Sequence, residues 1–143
     1  PVLINVNDLQ TQYDKAYYDI FIQEFEEKKY EKTIGLLEFM KNIIKTLKPS
    51  EGLNLNKQID IPFIIHKLNY NQFSNTKCSE LFNYLLDIIK KLQSPSHDED
   101  LEKIRASLKI KEIYFPDILL KCMDLIKNII HDLENIQTKM NKK

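Results

Sequence analysis

The C-terminal third of the chain places Leu119, Cys122, Ile126, Ile129, Leu133, Ile136 and Met140 on strictly alternating steps of three and four residues. Such a stripe lies along one face of an α-helix, whereas a strand would send successive members to opposite faces. The spacing predicts the longest helix of the chain, opened by Tyr114-Phe115-Pro116. A seam this regular is long enough to pair with another helix in coiled-coil fashion. Ile118, Leu125 and Ile130 widen it, which favours burial inside a bundle. Both destinations stay open: core for the whole stripe, or a helix-pairing seam of Ile126, Ile129, Leu133, Ile136 and Met140 at which a homodimer or a partner helix docks. Beyond Glu134 the apolar content thins, so the end of the helix is expected to project.

The same periodicity recurs upstream. Leu9, Tyr13, Tyr17, Ile20, Phe21 and Phe25 mark a helix from about Asp8 to Lys28, which Asn7 or Asp8 can cap. Ile34, Leu37, Met40, Ile44 and Leu47 mark a second, stopped by Lys48-Pro49-Ser50. Two short elements follow, around Leu53–Ile59 and Pro62–Leu68, the second with Asp60 as cap and Pro62 in its first turn. Another long stripe runs from Cys78 to Leu92, and a shorter helix carries Leu101, Ile104 and Leu108. Only Gly35 and Gly52 are present, and hairpins and phosphate-cradling loops depend on glycine. The expectation is an all-α fold, a single helical bundle of about six to seven helices spanning 1–143. Because the chain starts at Pro1 without Met, it is expected to be a piece of a longer protein.

Charge and cysteine content exclude several functions. The formal net charge is zero, so no overall field draws nucleic acid or anionic lipid. Residues 1–40 hold four Lys against eight Asp or Glu, which reads as an acidic first helix on a more basic body. Lys, Asn and Ile have A/T-rich codons, so their abundance reflects base composition rather than a binding surface. Acids standing near Lys, such as Glu24 with Lys28 and Asp124 with Lys127, read as pairs on helix surfaces. His66, His97 and His131 lack a second ligand at metal spacing, and no nucleophile–base–acid arrangement is visible. No catalytic residue, cofactor or metal is expected. Cys78 and Cys122 sit on apolar faces as reduced thiols do, which points to a cytoplasmic protein. No apolar stretch approaches the roughly twenty residues that span a bilayer.

One stretch breaks the pattern. QSPSHDEDLE (residues 93–102) gathers two serines, a proline, a histidine and several carboxylates between two apolar helices. Ser96 with Glu99 three positions on has the form of a capping box, and Asp98, Glu99 and Asp100 suit the positive end of a helix dipole. Pro95, Ser96, His97, Asp98 and Glu99 thus form a candidate hinge or partner-facing turn. Ser94, before a proline, and Ser96, before acids, are candidate phosphorylation sites.

Four stretches carry a family resemblance. YYDIFIQEFEEKKYEKTIGLLEFMKNIIKTLKP (Tyr17 to Pro49), QIDIPFIIHKL, LFNYLLDIIKKLQSPSHDE and ILLKCMDLIKNIIHDLENI stand in the order and spacing of the T-complex protein 11 family, whose N-terminal portion the chain resembles. Pro95, Asp98 and Glu99 match the family's most recognisable turn. Gln93 stands where the family has Cys, His97 where it has Arg, and Ile126-Lys127 where it has Met-Lys. The resemblance implies a helical, non-enzymatic protein that binds a protein partner, as a regulator or scaffold in cAMP and protein kinase A signalling.

Overall fold

The computed structural model describes the backbone of residues 6–109 and 112–141 and the side chains of residues 15–109 and 112–140. Among the described residues the chain forms seven α-helices and two single-turn 3-10 segments, with no strand. They are α1 (Val6–Glu26), α2 (Glu31–Leu47), α3 (Gly52–Gln58), α4 (Ile61–Asn69), α5 (Asn75–Leu92), α6 (Asp98–Ser107) and α7 (Phe115–Asn141). The 3-10 turns Pro49–Glu51 and Pro95–His97 each begin at a proline. Its fixed φ suits a first helical turn, where its missing N–H is not needed.

The helix ends show why the elements stop where they do. Asp60 Oδ1 accepts the Phe63 amide at 3.2 Å and Ser74 Oγ the Lys77 amide at 3.3 Å, capping α4 and α5. After α1 and α4 the chain turns through left-handed residues, Lys28 (φ 61°) and Asn71 (φ 55°), in a chain with too few glycines to use one there. Each turn is closed by an amide reaching back five residues, Lys29 to the Glu24 carbonyl and Gln72 to the Lys67 carbonyl. Lys28 Nζ also donates to the Asn69 carbonyl at 2.8 Å, which ties the two turns together.

α5 and α7 form the central pair, with α1, α2 and α6 packed around α7 and the short α3 and α4 against α2. The stripes read from the sequence supply the core: Leu37, Met40 and Ile44 from α2, Phe82, Leu85 and Ile89 from α5, Leu101 from α6, Leu119, Cys122 and Ile126 from α7. Each fully buried Leu, Ile or Phe contributes about 1.5–3 kcal/mol relative to exposure. Phe115, at the start of α7, is the aromatic hub. Its ring lies 5.9 Å from Phe25, 5.5 Å from Phe73 and 5.2 Å from Phe82, centroid to centroid. Polar staples cross the surface of the core. Arg105 donates to Asn83 Oδ1 and Asp87 Oδ1, both at 2.9 Å, and locks α6 onto α5. Tyr84 donates to Glu51 at 3.1 Å; burial and that carboxylate push its phenol up to about 12.

Cys78 and Cys122 are free and buried, and burial pushes both thiols up to about 12. The thiolate, which is the reactive form, is therefore suppressed. Both are expected to resist a disulfide-exchange reagent in the native protein at about pH 8 and to react at once in denaturant. Prompt labelling of the folded chain would contradict this placement.

Three local expectations are corrected. Asn7 and Asp8 lie within α1 rather than before it. Glu24 pairs with Lys32 at 2.9 Å across the α1–α2 corner, while Lys28 is drawn to the Asn69 carbonyl. The capping box does not form, as described next.

Candidate functional site

α5 ends at Leu92, and Gln93 and Ser94 are extended. Ser94, not Ser96, supplies the cap: its Oγ accepts the Ser96 amide at 3.4 Å and lies 3.1 Å from Ser96 Oγ. The Pro95–His97 turn then runs straight into α6, so His97 occupies the N-cap position with no side-chain cap. A capping box needs an extended residue at the cap, and the proline has already committed the backbone to a helical turn three residues earlier. Asp98, Glu99 and Asp100 fill the first turn of α6 as expected, where the helix dipole favours them.

Two contacts pin this turn. Gln93 is only 7% exposed and its Nε2 donates to Asp98 Oδ1 at 2.9 Å, while its Oε1 has no partner among the described residues. His97 Nε2 lies 3.1 Å from Asp132 Oδ2 on α7. Thirty-five positions separate His97 from Asp132 in the chain, and helical periodicity says nothing about such a contact. The one trace in the sequence is that the resemblance has another basic side chain, Arg, at position 97. The turn is therefore a clamp between α5, α6 and α7, with Ser94, Pro95, Ser96 and Glu99 facing solvent.

The clamp sits where α7 changes character. Ile126 and Ile129 are buried and Ile130 is half-buried, but Leu133 is 44%, Ile136 56% and Met140 68% exposed. The pairing seam thus divides: Ile126 and Ile129 belong to the core, and Leu133, Ile136 and Met140 continue the stripe past it. Beside this junction Ile43, Thr46 and Leu47 of α2 and Ile130, Leu133, Glu134 and Gln137 of α7 line a depression of about 150 Å³. Further along the same α2–α7 furrow a second, of about 370 Å³, is lined by Tyr17, Tyr18, Leu36, Leu120 and Met123. Sequence spacing had placed Tyr17 and Ile20 on the buried stripe of α1, yet both are exposed, as is Phe39 of α2. Exposed apolar side chains therefore lie on α1, α2 and the free end of α7.

A larger cleft, about 800 Å³, lies elsewhere, between α2, α3 and α4. Ile34, Leu55 and Ile65 form its apolar lining and Glu38, Lys41, Lys45 and Asp60 its charges. Lys41 is occupied by the Ile59 carbonyl at 3.0 Å and Asp60 by its capping bond. None of the three histidines lines any of these three hollows. Among the described residues no three His, Cys, Asp or Glu are placed to hold a metal ion. No helix among them is long and apolar enough to cross a membrane.

The family model described as T-complex protein 11 matches residues 6–142, nearly the whole chain. No match is found among the curated proteins or the solved structures.

Proposed function

From the premise that the chain belongs to the T-complex protein 11 family, we propose that it is a non-catalytic helical interaction module. In this reading it is a regulator or scaffold in cAMP and protein kinase A signalling, the role the family resemblance implies. The observation that supports a binding role is the exposure of Tyr17, Ile20, Phe39 and the end of α7, large apolar side chains that the core leaves uncovered. Purified regulatory and catalytic kinase subunits, passed over the immobilised chain, test it. Retention that is lost in Phe39→Glu, with the helical content unchanged, is the expected result. Failure of both subunits to bind at any concentration sinks the kinase-linked role.

A second reading is an assembly domain that oligomerises through its C-terminal helix. The exposure of Leu133, Ile136 and Met140 on one face of α7 favours it. Sedimentation at increasing concentration separates the two, because a kinase-binding module needs no self-association.

A further inference from the structure

We propose that the free end of α7 joins two copies of this chain in an antiparallel, twofold pair, with Lys139 of each copy set against the acidic turn of the other. The proposal rests on the assembly reading and specifies its geometry. Leu133, Ile136 and Met140 form a seam without a partner among the described residues, and the seam is flanked differently on its two sides. Asp132 and Lys139, one heptad apart, share one flank; Ile130 and Gln137, also one heptad apart, share the other. His97 holds the Pro95 turn against the first flank, and Asp98, Glu99 and Asp100 follow it directly in the first turn of α6, Asp98 accepting from Gln93 and Glu99 lying 3.8 Å from Lys103. α2 stands on the second flank, where Ile43 and Leu47 border the small depression.

An antiparallel pair sets like flank against like flank. Lys139 of one copy then enters the side that carries Asp132 and the acidic turn of the other, and the twofold axis makes the contact twice. A parallel pair would set Lys139 against the Gln137 flank, where it meets no acid of that turn. If the helices cross between Leu133 and Ile136, these two residues pack on each other across the axis. Met140 of the second copy then reaches the level of Ile130. The hollow there, about 150 Å³, is lined by Ile43, Leu47, Ile130 and Leu133, a volume one methionine side chain can enter. One helix end and one acidic turn per copy make a small interface, so association is expected in the micromolar range.

The test is sedimentation equilibrium of the chain from about 1 to 500 µM. A monomer–dimer equilibrium that weakens at least about tenfold in Ile136→Glu is expected, with unchanged helical content since Ile136 is exposed. Lys139→Glu should weaken it several-fold and Lys139→Glu with Glu99→Lys should restore it. Raising salt from about 0.05 to 0.5 M should weaken the wild type. Orientation is read by spin labels on Lys121→Cys or Thr138→Cys, the native thiols being buried. An antiparallel pair puts the two 138 labels about 20–25 Å apart and the two 121 labels beyond about 40 Å. A chain that stays monomeric, including one that binds only a different protein through this seam, overturns both the pairing and the assembly reading. It leaves the kinase-linked reading standing. A dimer indifferent to Ile136→Glu overturns both as well. A dimer sensitive to Ile136→Glu with equal distances at the two labels, or without the charge-swap rescue, overturns the antiparallel pairing alone.

Discussion

Phe115→Ala is expected to destabilise the domain by about 3–5 kcal/mol. Phe115 is 4% exposed and is the ring on which Phe25 of α1, Phe73 of the α4–α5 connection and Phe82 of α5 converge. Truncation removes the transfer free energy of the phenyl ring and opens a cavity that these three segments would have to move to fill. It also removes three aromatic contacts, each with about 0.5–1.5 kcal/mol beyond area burial. Denaturant unfolding should show a lower midpoint with an unchanged slope, and the melting temperature should fall by roughly 10–15 °C. Phe115→Leu keeps most of the volume and should cost much less. A loss below about 1 kcal/mol for the alanine variant would show that the hub does not hold these segments together.

Ile126→Ala is expected to cost about 2–5 kcal/mol, whereas Ile136→Ala, ten residues further along the same stripe, should stay within about 0.5 kcal/mol of the wild type at low concentration. Chemistry and helical context are alike; the difference is burial, 1% exposed against 56%. Ile126 packs in the core with Leu119, Cys122 and the α5 stripe, so its truncation leaves a void. Ile136 has left that core, so its truncation leaves only water in place of the three lost carbons. Equal losses at the two positions would mean that the seam is a single structural unit along its whole length.

The all-α architecture was legible because burial on one face writes a period of three to four into every long helix, and the stripes of α2, α5 and the first half of α7 are the core. The short α3 and α4 were legible through punctuation: Pro49, Asp60 and Pro62 mark ends that periodicity over seven to nine residues could not. What periodicity cannot carry is where a stripe stops being covered. Ile126 and Ile136 occupy equivalent places in the pattern, and only the length of the neighbouring helices decides that one is buried and the other bare. Tyr17 and Ile20 mislead for the same reason, since an apolar position at the edge of a bundle looks like one at its centre. The clamp was hidden because His97–Asp132 is a long-range contact between two polar residues. The capping box failed for a local reason, the helical turn already started by Pro95, which a four-residue motif does not weigh.

In the proposed assembly α7 is core up to Ile130 and a binding surface beyond it. Amide hydrogen exchange along α7, followed as protein concentration rises about a hundredfold through the micromolar range, tests it most directly. Residues 119–130 should exchange at the rate of global unfolding at every concentration. Residues 133–140 should exchange orders of magnitude faster at the lowest concentration and slow as the concentration rises. Uniformly slow exchange along the whole helix at the lowest concentration, or no slowing of residues 133–140 at the highest, would contradict the account.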